Sequence, residues 1–597
     1  MTDSNKPWFG ARFLPRIRAL LDLLRQHLSH QGVLLALALL GIVAGGLSAG
    51  ISLLFRFIID WPLALFLPGN NAENFEGLPL HLRFLVPAIG ALLVGLLLLM
   101  FRKEHRGVGV SHVVNRLNNH HGWMPWQNAV AQFCAGAIAL ISGQSGGREG
   151  PAVHLGAAIN SLTARFLHLP NNSTRILISC GVAAAISAAF NTPIAGVIFA
   201  MEVVMLEYTI IGFTPVILAA VTGALMTRAV YGAEPMFTIA LIDMNSASEV
   251  FFIALIGLVC GTAAALFIIV QKFCLRWSAL NILLRLSIVG VLTGAIAVVV
   301  PQVLGLGYDT LQILLSVELS WWFLLLIIVA KLFLTAVACG MGMPIGYIGP
   351  SLIIGACIGS ALAIFGIGLR PDLASDATLY VLLGMGAMMA AILNAPLAAL
   401  LTIVELTHNP YVILPGMLAV IIATLTVSGL YRQKSAVQTI LESQGFKIVN
   451  DPLSQALQRA AVASLMDQNF RSVAHTMTAE EINTLLGNRP RWLIVQEADS
   501  QKRLLDSTDL VLYMQEYGEE LEPSQDVALL ELPGKQRLII NVHPQATLRE
   551  ALDVLEKEKV DALHVVGPAL PLYMPPSGVL TRQDIENYYR YPQGMKQ

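Results

Sequence analysis

Two stretches of this chain, about two hundred residues apart, carry the same interrupted apolar pattern. Residues 181–202 read GVAAAISAAFNTPIAGVIFAME, and residues 384–405 read GMGAMMAAILNAPLAALLTIVE. Asn191 matches Asn394, Pro193 matches Pro396 and Glu202 matches Glu405, each pair 203 positions apart. Upstream, GREGPAVHLGAAINS at 147–161 matches GYIGPSLIIGACIGS at 346–360, with Pro151 against Pro350. The chain therefore holds two copies of one unit, each broken by Gly-Pro inside apolar sequence. In membranes, paired interrupted helices place an ion or substrate site where the copies meet.

Composition agrees with a membrane chain. Of 597 residues, 55% are hydrophobic and only 13% charged. Mean hydropathy is +0.66. These values exclude an ordinary soluble domain. The charges are also segregated: 37 of the 76 Asp, Glu, Lys and Arg residues lie in 441–597. The first 440 residues suit lipid, and the rest has the charge density of a soluble domain. A net charge of −2 says nothing about a partner. No basic nucleic-acid stripe, Walker motif or nucleophile–base constellation appears, so neither nucleic-acid binding nor an enzyme is expected. The six cysteines form no CxxC pair and read as core residues, not as metal ligands.

Residues 1–31 hold Lys6, Arg12, Arg16, Arg18 and Arg25 against Asp3 and Asp22. The apolar run after Gly32 is too long for a signal sequence and long enough to span. The basic excess before it predicts a cytoplasmic N-terminus. Leu14–Leu28 is amphipathic and reads as a helix on the membrane surface or a plain lead-in helix. Further along, apolar segments such as 128–143, 192–208 and 393–406 are short for a crossing, which needs about twenty residues. They suit half-helices that end inside the protein and line a polar cavity. The competing reading is small-residue helix packing.

Intramembrane charge narrows the site. Arg148 and Glu149 lie in SGGREGP, and Glu202 and Glu405 end the repeated segments. Ionisable groups at such depth are costly and are functional candidates. Gly146, Gly147 and Gly150 let the backbone turn tightly and approach an ion. Pro151 suits a first helical turn. Free amides and a positive helix end then make an anion site. Glu149 in that positive pocket competes with a small anion for it, a gate by charge mimicry. The alternative is a static Arg148–Glu149 pair at a helix end.

These residues resemble the ClC family of chloride channels and chloride/proton exchangers. The resemblance rests on SGGREGPAVHLGA, GYIGPSLIIGA and AAFNTPIAGVIFAMEV and runs from about residue 35 to 440. It implies a homodimer with one pore per subunit, two inverted halves, and selectivity for chloride and similar anions. It makes Glu149 the gating glutamate, gives the Gly147–Gly150 backbone, with Arg148, the outer anion site, and gives the amides of Tyr347 and Ile348 the central one. Three departures stand out. At 107–111, Gly-Val-Gly-Val-Ser replaces the family's GSGIP, so Val108 removes a hydroxyl while Gly109 still lets backbone approach. Val437 stands at the position of the family's pore tyrosine, with Tyr431 outside the register. Val203 stands where exchangers carry an inner glutamate, leaving Glu202 as the remaining carboxylate for a proton pathway. The first two changes leave the central ion to backbone amides, so a weaker or less selective site is expected. The third favours a passive channel, or at least a poorly coupled transporter, over a chloride/proton antiporter.

The tail resembles a CBS pair. Its GVLTRQD run places Thr581 and Asp584 where such pairs hold the ribose of an adenine nucleotide; the same pair also reads as a simple helix cap. The expected organisation is an N-terminal helix at 1–31, a membrane domain at 32–440, a linker at 441–468 and CBS repeats at 469–530 and 531–597. The expected fold is an all-α polytopic membrane domain of inverted repeats with discontinuous helices, followed by an α+β tail, with both termini cytoplasmic in a bacterial inner membrane. The expected function is a chloride channel gated by Glu149, with a chloride/proton antiporter as the alternative. A nucleotide sensor with an inert membrane anchor is the rival of a different class. No cofactor is required, an adenine nucleotide on the CBS pair being the one candidate, and no metal is expected.

Overall fold

The computed structural model describes residues 34–207, 210–233, 246–316, 319–369, 375–446, 452–496, 502–518, 522–567 and 576–590, with Phe237, Ile239, Ile242 and Met244. The helix read at 1–31 lies outside these residues. The chain forms two compact units, one of residues 37–165 and 175–448, the other centred on 449–597.

The first unit is helical. Its first copy comprises α1 (Leu34–Phe66), α2 (Leu80–Met100), α3 (Gly109–Asn119), α4 (Trp126–Ile141), α5 (Glu149–Phe166), α6 (Asn171–Phe190), α7 (Pro193–Phe199) and α8 (Ile210–Tyr231). The second comprises α9 (Val250–Leu275), α10 (Ile282–Val299), α11 (Tyr308–Ser316), α12 (Trp321–Met341), α13 (Ile348–Leu369), α14 (Ala377–Leu393), α15 (Pro396–Thr407) and α16 (Ile413–Leu425). Helix α17 (Ala436–Ser443) follows. Among the described residues, nine helices are long and apolar enough to cross a membrane.

The sequence repeat is a repeat of backbone conformation. Helices α4 and α12 stop at Gly143 (φ 71°) and Gly342 (φ 85°), left-handed turns that glycine adopts without strain. Helices α6 and α14 stop at Asn191 (φ 59°) and Asn394 (φ 55°), the residue type that best tolerates this region after glycine. A proline then opens α7 and α15, where its missing N–H costs nothing. The α5–α6 and α13–α14 pairs pack through matched glycines. A Cβ on Gly156 would lie 2.5 Å from the Gly181 carbonyl oxygen, and one on Gly355 would lie 2.1 Å from that of Gly384. Small residues allow this approach, which lipid offers no hydrophobic force to drive.

The second unit is α+β. Helix α18 (Pro452–Gln458) precedes β1 (Phe470–Val473), β2 (Thr476–Thr478), α19 (Ala479–Gly487), β3 (Trp492–Gln496), β4 (Lys502–Asp506) and α20 (Ser507–Tyr517). Then come β5 (Asp526–Ala528), β6 (Arg537–Val542), α21 (Leu548–Glu558), β7 (Ala562–Val565), β8 (Gly578–Thr581) and α22 (Arg582–Arg590). The main sheet runs β1-β3-β4-β6-β7-β8, with β1/β3 and β6/β7 parallel and the other neighbours antiparallel. Each half thus pairs two parallel strands across a helix and adds a hairpin strand and a second helix. Capping boxes at Thr478–Glu481 and Thr547–Glu550 start the two crossover helices. The stretch read as a linker, 441–468, is partly structural: Leu457, Val462 and Met466 join the core beneath α21.

Two outcomes are expected. Gly355→Ala should abolish a monodisperse gel-filtration peak, whereas Gly368→Ala, whose added methyl meets nothing within 4 Å, should not. In the second unit, His564 on β7 is 8% exposed, with Nδ1 3.4 Å from Lys502 Nζ. Burial, and then the Lys502 charge, push its pKa down to about 4. The unfolded chain therefore binds the extra proton, so this unit should lose stability as pH falls from about 6.5 towards 4. Amide exchange in β7 of the full chain should accelerate over that window, and less so in His564→Gln.

Candidate functional site

The two copies meet at their broken helix starts. Gly147 and Gly346 form an isolated antiparallel bridge, with N–H donated from Gly147 to the Gly346 oxygen (2.8 Å) and back (2.7 Å). An antiparallel exchange between equivalent residues requires a two-fold relation, so the halves are inverted. The same symmetry recurs at Glu202 and Glu405. The Glu405 carboxylate accepts from the amides of Ile194 (3.0 Å) and Ala195 (2.7 Å) at the start of α7. Glu202 accepts from Leu397 (3.3 Å) and Ala398 (2.8 Å) at the start of α15. Each carboxylate satisfies orphan donors of the other copy's helix and complements its dipole.

The bridge sets Glu149 against the start of α13. Its Oε1 accepts from the Gly349 amide at 2.6 Å, and the residue is fully buried. Helix α5 begins at Glu149 and α13 at Ile348, so the carboxylate lies between two helix N-termini. The glycines here are spatial necessities: a Cβ on Gly147 would sit 2.0 Å from the carboxylate oxygens, and one on Gly150 would sit 2.8 Å from Gly346 Cα. A carboxylate in this cradle and a small anion are mutually exclusive.

A cavity of about 760 Å³ leads to this point and is lined by Glu149, Gly150, Gly346, Tyr347 and Ile348. Gly109 and Val108 at the start of α3 also line it, together with Lys103, Arg106 and Arg285. Three cations against one deep carboxylate make it attractive to anions. The Gly109 amide, however, is already donated to Gln132 Oε1 at 2.7 Å. Gly147 and Arg148 are not part of the lining. The Gly147 amide is used in the bridge, while Arg148 Nη2 donates to the Ala189 oxygen (3.3 Å) and Nη1 lies 3.8 Å from Asp60. Glu202 is away from the cavity too, at the α15 start. Val437 is buried at 2% exposure, and α17 lends Ile440 and Ser443, with Gln444 just after it, to the lining instead. Thr581 and Asp584 are spent on each other: the Thr581 hydroxyl donates to Asp584 at 2.6 Å, and the Asp584 amide donates back at 3.2 Å.

Two groups escaped the sequence reading. Lys331 is fully buried in α12, its Nζ donating to the Gln302 (3.2 Å) and Val303 (3.3 Å) carbonyls. Tyr308, 4% exposed, opens α11 beside Gly349. A signal for it exists: GLGY at 305–308 repeats GVGV at 107–110.

Inverted half-helices aimed at a buried, glycine-cradled carboxylate, in a chain of many apolar helices, define a membrane anion-transport protein. The family described as voltage gated chloride channel matches residues 90–428, and the chain belongs to it. It is 32% identical over 361 residues to a ClcB-like chloride channel protein of Ralstonia nicotianae, covering 59% of this chain and 83% of that one. It is 28% identical over 413 residues to the H(+)/Cl(-) exchange transporter ClcA of Vibrio cholerae, covering 66% and 86%. A solved slow cyanobacterial Cl-/H+ antiporter matches with TM-score 0.60 at 22% identity, over 70% of this chain and 98% of that one. A solved eukaryotic CLC transporter matches with TM-score 0.57 at 16% identity, over 95% of this chain and 98% of that one. The protein is an integral, multi-pass member of an anion-transporting family.

Removing either reciprocal cap should cost the same. Glu202→Ala and Glu405→Ala are each expected to destabilise the protein by about 1 kcal/mol, read as matched drops in melting temperature.

Proposed function

We propose that the protein exchanges chloride for protons, with Glu149 as the carboxyl group that alternates with the anion. The observation that carries this reading is the Glu149 carboxylate seated on the Gly349 amide between two helix starts. Each anion that passes must displace it, and protonation is the means that lowers its hold on the amides. Relatives named as exchange transporters support the same reading. This replaces the passive channel expected from Val203 as the preferred reading. The channel remains the second reading because Val203, 5% exposed, cannot carry a proton where the family's inner glutamate stands.

The subunit is proposed to act as a homodimer with one pore each. For the tail, the Thr581–Asp584 turn supports a capping role more than a ribose contact, since each side chain already satisfies the other.

Reconstitution into liposomes decides coupling. A chloride gradient is expected to drive sustained uphill proton movement; its absence with chloride flux intact would establish the channel. Glu149→Ala should keep chloride flux and lose its pH dependence, and proton movement should stop.

A further inference from the structure

We propose that the Tyr308 hydroxyl receives the Glu149 carboxyl group when it leaves the Gly349 amide, and so sets how readily the gate opens. The proposal rests on Glu149 being the gate. Buried polar atoms in this region without a hydrogen-bond partner include Arg148 Nε, the Tyr347 hydroxyl, Glu149 Oε2 and the Tyr308 hydroxyl, and the last two are the pair that bears on the gate. Both side chains border one gap. The Cβ position of Gly349 lies 3.5 Å from the Tyr308 hydroxyl and 3.7 Å from Glu149 Oε1. Glycine leaves that gap open, so rotation of the Glu149 side chain can carry its carboxyl group across.

The repeat explains why a receiver stands there. Helix α11 is the second-copy counterpart of α3, and Gly307 (φ 83°) matches Gly109 (φ 72°) just ahead of each helix body. The α3 start lines the cavity, and Tyr308 is not part of that lining. At the α11 start, the Asp309 amide donates to Glu73 (3.0 Å) and the Thr310 amide to Asp309 (2.7 Å). The Tyr308 and Thr310 hydroxyls are the donors left over, and of the two it is that of Tyr308 that borders the gap at Gly349. A buried hydroxyl without a partner is costly unless another state supplies one.

The charged neighbours are common to both positions of the carboxyl. Arg148 lies 5.9 Å from the Tyr308 ring, and Glu73 and Arg56 act on Tyr308 at longer range. Asp60 faces Arg148 and Arg56, Asp309 follows on the same helix, and Lys331 Nζ lies 3.0 Å from the Gly307 Cβ position. Tyr347 and Cys339 line the cavity together with Glu149. What changes on moving is the hydrogen bond: Glu149 takes a proton from solution, releases the Gly349 amide, and its carbonyl oxygen accepts from the Tyr308 hydroxyl.

The test is chloride efflux against pH from liposomes holding the full chain, comparing wild type, Tyr308→Phe, Glu149→Ala and the double variant. Tyr308→Phe should move the midpoint of acid activation down by about half to one pH unit, roughly three- to tenfold in the opening equilibrium. In the Glu149→Ala background the same change should do nothing. An unshifted midpoint in Tyr308→Phe, or an equal change of flux in the Glu149→Ala background, overturns the proposal. Retained pH dependence in Glu149→Ala alone overturns instead the reading of Glu149 as gate. Tyr308→Leu replaces Tyr308→Phe should the latter not give a monodisperse protein, with the same outcomes expected.

Discussion

The pair of hydrogen bonds between Gly147 and Gly346 holds the site together. Both bonds are made by main chain, at a depth where each unpaired amide or carbonyl would cost several kcal/mol. Four backbone groups that two broken helices leave exposed are thereby satisfied reciprocally. The exchange also fixes where α5 and α13 begin, and hence where Glu149 meets the Gly349 amide. A side chain at either glycine would occupy the volume that the carboxyl group or the facing backbone now fills.

From that clamp the electrostatics follow. Two helix starts offer partial positive charge without a fixed cation in the cradle, which suits an anion that must also leave. Full cations stand further off. Arg148 is turned towards Asp60 and the Ala189 carbonyl, and Lys103, Arg106 and Arg285 line the approach. A lysine in the cradle would bind chloride more tightly and slow its exit. The same economy appears at Glu202 and Glu405, which place their charge on orphan amides of the opposite copy rather than in the path.

Much of the fold was legible because its breaks are written in residue types with narrow conformational use. The Asn-x-Pro pairs at 191–193 and 394–396 mark helix ends in both sequence and structure. Helices α3, α11 and α17 were not legible, since at 8 to 11 residues they are too short to show as apolar segments. Helix α18 hid in a stretch that reads as a linker because it is only 7 residues long and buries a single apolar side chain, Leu457, in the core. The role of Gly109 was only half legible: its place on the cavity follows from the motif, but the capture of its amide by Gln132 depends on a residue 23 positions away on another helix.

Sequence alone determined that the chain is a membrane protein of two copies, that the copies are interrupted at Gly-Pro, and that Glu149 is the carboxylate in the break. Residue chemistry and spacing carry that much, because they limit which backbone turns and burial depths are affordable. Only the tertiary structure decided which amide Glu149 engages, that Arg148 and Glu202 turn away from the cavity, and that Tyr308 shares the gap at Gly349. Those outcomes depend on where inverted halves approach within hydrogen-bond distance, and no local pattern encodes a distance between residues two hundred positions apart.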